Sequence, residues 1–117
     1  MTKVASEDYG QLGGEHTSKV IFVNHLSFEV IANGRHVPLT RMEFDLLVYL
    51  MRHASRVVPH RELMEQVVRG SHQNDSSLLR VHLTHLRRKL GTKRAIETVR
   101  GRGFRFRGDR AEVGSNL

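Results

Sequence analysis

Apolar residues recur at helical spacing in two long segments of the chain, and a shorter helical segment lies between them. The helix expected over residues 41–53 turns four apolar side chains inward, namely Phe44, Leu47, Val48 and Met51. The helix expected over residues 76–90 carries a stripe of leucines at positions 79, 83, 86 and 90. Such stripes predict amphipathic helices that bury one face in a core. Proline is tolerated in a first turn, so Pro59 predicts the start of the second helix in chain order, which runs to about Val68.

Short apolar runs before the first helix predict strands. Val20–Val23 and Leu26–Ile31 are runs of strand type, and Arg35–Leu39 is expected to return alongside them. Asn33-Gly34 lies between the last two segments and predicts a type I′ hairpin turn, because both central residues of that turn need positive φ. The sequence therefore predicts an antiparallel sheet at the N-terminal end.

Capping residues set the expected helix ends. Thr40 and Glu43 have the spacing of a capping box, with Leu39 and Phe44 placed for a hydrophobic staple. The helix that they open is expected to end near His53. Gly91 follows the leucine stripe and is expected to stop that helix in the left-handed conformation.

The chain closes on a predicted hairpin. Ile96–Val99 and Phe104–Arg107 alternate apolar and polar residues around Arg100-Gly101-Arg102-Gly103. An opening sheet, three helices and a closing hairpin define the fold class α+β, and specifically a winged helix-turn-helix. We expect residues 19–108 to form this domain, residues 1–18 a flexible leader or linker, and residues 109–117 a flexible tail.

Positive charge is concentrated in one part of the chain. Residues 80–110 contain eleven Lys and Arg against two acidic residues, a net charge of +9, whereas the whole chain carries +7. The remaining residues therefore sum to −2. Clustered cations beside a slightly acidic remainder indicate a polyanionic partner.

The helix over residues 76–90 shows how such a partner would be contacted. At 100° per residue, the side opposite the leucines carries a strip of Ser77, Val81, Thr84, His85 and Arg88. Flanking cationic residues are Arg80 and Arg87 on one side, and His82 and Lys89 on the other. A hydrogen-bonding strip bordered by cations suits a helix in the major groove of double-stranded DNA, with the strip on base edges and the flanks on phosphates. Arg100 and Arg102, at the hairpin tip, have the reach and charge for the minor groove.

Other function classes have less support. A winged-helix protein-interaction module or a basic RNA-binding accessory protein is the alternative, although exposed aromatic residues on a sheet or an apolar patch on the third helix would then be expected. His82 and His85 lie one turn apart without a cysteine or carboxylate to complete a metal site. No nucleophile–base pair or paired carboxylates indicate catalysis, so we expect no enzyme, no cofactor and no metal.

Compartment is indicated by composition. The chain has no cysteine, no signal-peptide core and no apolar run of membrane length, and it has no Trp to anchor at a lipid surface. We therefore expect no membrane association and a cytoplasmic location.

Four motifs in order resemble the DNA-binding effector domain of OmpR/PhoB-type response regulators. They are Leu39-Thr40-x-x-Glu43-Phe44-x-Leu46-Leu47, Arg61-Glu62-Leu63, Val81-His82-Leu83-Thr84-x-Leu86-Arg87-Arg88-Lys89-Leu90, and Ile96-x-Thr98-Val99-Arg100-Gly101-x-Gly103-Phe104-Arg105-Phe106. The resemblance covers about residues 20 to 107. It implies two-component transcription regulation, a third helix (76–90) in the major groove and a wing (96–107) on the minor groove. It also implies head-to-tail binding to direct repeats, and contact of the 69–75 loop with RNA polymerase.

The resemblance also assigns roles to individual residues. It places Ser77, Val81 and His85 on bases. It places His82, Arg87 and Thr98 on phosphates, and Arg100 matches the wing arginine. The sequence departs from the family at several positions. Ser77 and His85 stand where arginine is frequent, and Arg80 stands where an acidic residue is common. Arg69 stands where Trp is frequent, and Pro59-His60 replaces a serine cap.

Overall fold

The computed structural model describes residues 20–68, 76–92 and 94–114. They fall into two compact units, residues 20–38 with 108–114, and residues 39–107. The elements in chain order are β1 (Ile21–Asn24), β2 (Glu29–Ala32), β3 (Arg35–His36), α1 (Arg41–Arg52), α2 (His60–Leu63), α3 (Ser76–Leu90), β4 (Ile96–Val99), β5 (Gly103–Phe106) and β6 (Arg110–Val113).

The first unit is a four-stranded sheet with the strand order β3-β2-β1-β6. β1 pairs antiparallel with β2, and β2 with β3. Asn33 and Gly34 connect β2 to β3 with φ values of 55° and 75°, which confirms the predicted turn. Ile21, Val23 and Val30 are buried, so alternate side chains of β1 and β2 turn to one face.

Two of the predicted strands, Leu26–Ile31 and Arg35–Leu39, were too long. Asn24 Oδ1 accepts hydrogen bonds from the backbone N–H groups of Leu26 and Ser27 at 2.9 and 3.3 Å, which turns the chain before β2 begins at Glu29. β3 spans two residues rather than the five predicted.

Residues 109–117 were predicted to form a flexible tail, but this prediction was wrong for Arg110–Val113, which form the strand β6. This strand pairs with β1 in parallel, so the sheet is mixed rather than purely antiparallel. Ile21 N–H donates to Asp109 O at 3.0 Å, and the His25 ring lies 2.7 Å from Glu112 Oε1. β6 has no buried residue, so the apolar alternation that marks a strand in a sequence is missing there.

The second unit contains the three predicted helices. Thr40 caps α1: its hydroxyl accepts from Glu43 N–H at 3.2 Å, and its own N–H donates to Glu43 Oε1 at 2.9 Å, which confirms the capping box. The helix ends at the predicted cap, His53. Pro59 is the N-cap of α2 rather than its first helical residue, and α2 continues as a π-helical stretch, Met64–Val68.

The leucine stripe of α3 forms much of the core of this unit. Leu79, Leu83, Leu86 and Leu90 are each at most 1% exposed. Gly91 follows with φ 77°, as predicted for a residue that ends a helix. No helix in the described part of the chain is long and apolar enough to cross a membrane.

β4 and β5 form the predicted closing hairpin. They pair antiparallel from Ile96↔Phe106 to Val99↔Gly103. Val58, from the segment between α1 and α2, exchanges two backbone hydrogen bonds with Phe104, at 2.7 and 2.9 Å. Phe104 and Phe106 are 8% and 1% exposed, so both rings pack inward instead of presenting a stacking surface. Three helices and this hairpin confirm the winged-helix fold.

Candidate nucleic-acid interface

The side of α3 opposite the leucines is largely exposed and polar. Ser77, Arg80, Thr84 and Arg88 are exposed, and Val81 is 45% exposed. Among the described residues of the second unit, Val81 is the only large apolar side chain that is exposed. The strip predicted to face base edges therefore lies at the protein surface, with the cations beside it.

A groove runs between α3 and the hairpin. Its volume is about 620 Å³, and four arginines line it, Arg80 and Arg87 from α3 and Arg100 and Arg102 from the hairpin turn. Thr84, Thr98 and His60 add polar side chains, and no Asp or Glu occurs among its described lining residues. Four guanidinium groups without a lining carboxylate make this groove a strong attractor for an anionic chain.

The two glycines of the hairpin turn differ in whether a side chain would fit at their position. Gly101 has φ 73° and nothing within 4 Å of the position that a Cβ would take. Gly103 has φ 147°, and a Cβ there would lie 2.1 Å from Val58 O. Arg102 N–H donates to Val99 O at 2.8 Å, which closes the turn and leaves the side chains of Arg100 and Arg102 exposed. Gly103 therefore allows the hairpin to pack against residue 58 while its tip stays open.

Arg87, predicted to contact phosphate, links α3 to the hairpin. Its Nε donates to Ile96 O at 3.0 Å, and its Nη2 donates to Thr98 Oγ1 at 2.6 Å. The guanidinium carbon lies 5.9 Å from the centre of the Phe104 ring, and burial lowers the pKa of Arg87. Arg87 and Thr98 thus have a structural role that the sequence did not indicate.

Lys89 and His85 both lie beside Glu43. Lys89 Nζ donates to Glu43 Oε1 at 2.7 Å, and His85 Nδ1 lies 3.9 Å from Glu43 Oε2. Burial raises the pKa of Glu43, but hydrogen bonds from Lys89 and Thr40 outweigh it, and the pKa lies below its ordinary value. The capping spacing predicted Glu43 as a helix residue but gave no sign of this link to α3, which lies more than forty positions along the chain.

Two cations of the hairpin are engaged with the same acid. Arg105 donates to Glu97 Oε1 at 2.8 Å and Arg107 does so at 3.4 Å. These hydrogen bonds, Arg105 first, hold the pKa of Glu97 below its ordinary value. Arg105 and Arg107 therefore contribute less to the open charge of the surface than the sequence count indicates.

His82 is partly buried on the α3 flank. His60, a groove residue that was not predicted as a site residue, lies with its ring centre 6.3 Å from that of Phe104. The 69–75 loop lies outside the described residues. Among those that are described, no group of three or more His, Asp or Glu could hold a metal ion.

Comparison with known proteins agrees with this geometry. Residues 34–106 match the family model "Transcriptional regulatory protein, C terminal". The two-component response regulator PhoP of Pseudomonas aeruginosa is 38% identical over 81 residues, which are 67% of this chain and 36% of that protein. The chain spans about two fifths of the length of the curated relatives it matches.

Solved structures show the same fold. The DNA-binding domain of Klebsiella pneumoniae RstA, crystallised in complex with the RstA box, is 25% identical with a TM-score of 0.63, over 72% of this chain and 87% of that one. The DNA-binding domain of Bacillus subtilis CssR is 26% identical with a TM-score of 0.65, over 74% and 99%. The chain belongs to the family of C-terminal domains of transcriptional regulatory proteins, of the OmpR/PhoB type.

Proposed function

We propose that this chain binds double-stranded DNA in a sequence-specific manner as part of a bacterial transcription regulator. The observation that carries the proposal is the arginine-lined groove between α3 and the hairpin, beside the exposed polar strip of α3. α3 enters the major groove, and the hairpin, residues 96–107, contacts the adjacent minor groove. The activity is binding alone, without catalysis or a cofactor.

Each surface residue has a part in this scheme. The base-facing residues are Ser77, Val81, Thr84, His85 and Arg88. The phosphate contacts are Arg80, His82, Arg87, Lys89 and Thr98. Arg87 and Lys89 keep their intramolecular hydrogen bonds and offer phosphates only the N–H groups left over. Arg100 and Arg102 enter the minor groove, where a narrow A·T-rich sequence concentrates negative potential.

The relatives support the wider setting. The DNA complex of RstA is a property of that protein, and the shared fold extends it to this chain as a proposal. We extend in the same way head-to-tail binding to direct repeats, contact of the 69–75 loop with RNA polymerase, and a cytoplasmic location on the nucleoid. The domain in this scheme extends beyond the predicted end at residue 108 to include β6, Arg110–Val113.

The surface favours duplex DNA over the alternative partners. Docking of a protein on α3 would use an apolar patch, and Val81 stands alone among polar and charged neighbours. Recognition of single-stranded RNA would use exposed aromatic rings, whereas Phe104 and Phe106 are buried.

Selection of duplexes from a random pool, followed by titration of the selected site at several salt concentrations, tests the proposal. We expect the selected site to bind at least about a thousandfold more tightly than a scrambled duplex. Arg100→Ala should weaken sites with an A·T-rich flank most. Exchange of that flank for G·C should cause a similar loss in the wild type, and the two losses should not add.

Arg52→Ala is the matched control, because Arg52 is an exposed arginine at the end of α1 and does not line the groove. It should leave affinity within about twofold. Equal affinity for the selected and scrambled duplexes, or tighter binding to RNA of the same sequence, would contradict the proposal. Fully additive losses from Arg100→Ala and the flank exchange would remove the hairpin from sequence reading.

A further inference from the structure

Glu43 is the only buried charged residue in the described part of the chain, and its carboxylate lies beside His85 and Lys89 of α3. One oxygen, Oε1, accepts from Thr40 N–H at 2.9 Å and from Lys89 Nζ at 2.7 Å. The other, Oε2, lies 3.9 Å from His85 Nδ1. The side chain of Glu43 is 2% exposed, whereas that of His85 is 45% exposed. A buried acid therefore lies beside Nδ1 of a half-exposed ring.

We propose that Glu43 keeps the proton of neutral His85 on Nδ1, so that Nε2 accepts a hydrogen bond from the exocyclic amino group of an adenine or cytosine in the major groove. This inference rests on the proposed function. It makes Glu43 a positioning residue for base recognition, and it names the chemical group that His85 reads.

The first step is electrostatic. Neutral imidazole carries one N–H, and the surroundings of its two nitrogens decide which one holds the proton. A separation of 3.9 Å exceeds a hydrogen bond, but the field of a charged carboxylate at that distance favours an N–H that faces it. The neighbours of His85 on its own helix are His82, Arg88 and Lys89, and the ammonium of Lys89 is held on the opposite oxygen, Oε1. Glu43 is the acid that faces the ring from α1.

The second step concerns the base. With the proton on Nδ1, Nε2 is an acceptor and needs a donor on the DNA. In the major groove the donors are the amino groups of adenine and cytosine, whereas guanine offers acceptors and thymine offers an acceptor and a methyl group. A histidine with the opposite tautomer would donate instead, to guanine, to thymine or to N7 of adenine, and would not need the exocyclic amino group.

Glu43→Gln is a sharp variant because the existing donors orient the amide. Thr40 N–H and Lys89 both donate to Oε1, so the amide oxygen takes that position and the amide NH₂ faces His85. Nδ1 must then accept, and the proton moves to Nε2. Glutamine also retains a capping box. Thr40→Ala is the matched control, since it removes the capping hydroxyl and leaves the carboxylate beside His85.

Nitrogen-15 NMR of the free protein measures the tautomer without DNA. At about pH 8.5 an ordinary histidine is neutral, and the His85 signals are assigned by their loss in His85→Gln. We expect Nδ1–H in the wild type and in Thr40→Ala, and Nε2–H in Glu43→Gln. Nε2–H in the wild type would overturn the proposal even if Glu43→Gln failed to fold.

Modified duplexes test whether His85 accepts a hydrogen bond from the exocyclic amino group of the base. At the site position whose preference is lost in His85→Ala, the adenine or cytosine is replaced by an analogue that lacks the exocyclic amino group. Wild type and Thr40→Ala should each lose about fivefold in affinity, the effect of one neutral hydrogen bond, and Glu43→Gln should be insensitive.

The two measurements separate the proposals. An insensitive wild type would overturn the reading by His85. A chain that prefers no sequence would overturn the proposed function and the reading together. The NMR result would still decide whether Glu43 sets the tautomer.

Discussion

Arg87 offers the sharpest test of how α3 and the hairpin are held together. Its two hydrogen bonds reach Ile96 O and Thr98 Oγ1, and its guanidinium is partly buried. Arg87→Ala removes both bonds and leaves the Ile96 carbonyl without this donor. A hydrogen bond from a charged group contributes about 1.5–3 kcal/mol, but Thr98 is exposed and its bond is weakened by water. We expect Arg87→Ala to lower the free energy of unfolding by about 3 kcal/mol.

Two further variants show how much of this loss in the free energy of unfolding comes from each hydrogen bond. Thr98→Val removes one acceptor and keeps the bond to Ile96, so it should cost about 1 kcal/mol. Arg87→Lys keeps the charge but lacks the guanidinium fork that donates to two acceptors at once. Urea unfolding at neutral pH measures all three variants, and an unchanged dependence on urea concentration indicates that the folded states remain comparable.

Measurements of DNA binding then distinguish a structural role of Arg87 from a direct contact with a phosphate. If Arg87 positions the hairpin, Arg87→Lys should weaken the preference for an A·T-rich flank while the salt dependence of affinity stays the same. If Arg87 only neutralises a phosphate, Arg87→Ala should unfold at the wild-type urea midpoint. It would then weaken all duplexes equally and reduce the salt slope by about one. That second pattern would refute the structural role.

Two other predictions follow from the second unit. Gly103→Ala should lower the free energy of unfolding by about 3 kcal/mol, because its Cβ would lie 2.1 Å from Val58 O, whereas Gly101→Ala, with open space around it, should cost about 1 kcal/mol. Equal losses on thermal unfolding would mean that the hairpin does not pack against residue 58. Hydrogen bonds from Arg56 and then Tyr49 lower the pKa of Glu62 from 4.5 to about 2. The stability that this carboxylate contributes is therefore present above about pH 4.5 and lost as the pH falls toward 2. Glu62→Gln should remove that part of the acid dependence, and a wild-type pH profile in the variant would contradict it.

Local signals predicted the second unit well. The leucine stripe, the capping residues Thr40 and Glu43, and Gly91 are each defined by neighbours within a few positions, and each was found as expected. Short-range periodicity and capping decide helices, so a single sequence is sufficient for them.

Long-range pairing was harder to predict. β6 pairs with a strand about ninety residues earlier and buries no side chain, so nothing in its own sequence marks it. The contacts of Glu43 with Lys89, and of Arg87 with Thr98, also depend on how elements pack. The candidate site on α3 and the hairpin stays a prediction, and the partners of its charged residues could only come from the structure.

Those partners change what the charge of the chain implies for binding. The second unit has nine described Lys and Arg residues between positions 80 and 107, and four of them, Arg87, Lys89, Arg105 and Arg107, donate hydrogen bonds within the protein. The other five are exposed, namely Arg80, Arg88, Arg94, Arg100 and Arg102. Each phosphate neutralised contributes about 0.9 to the slope of log affinity against log salt concentration. These five cations therefore imply a slope of about −4.5, whereas the full count of nine would imply about −8. A slope near −8 would mean that the four engaged cations also neutralise phosphates. Arg87 can do so while it keeps its bonds to Ile96 and Thr98, whereas Lys89, Arg105 and Arg107 would have to give up their ion pairs with Glu43 and Glu97.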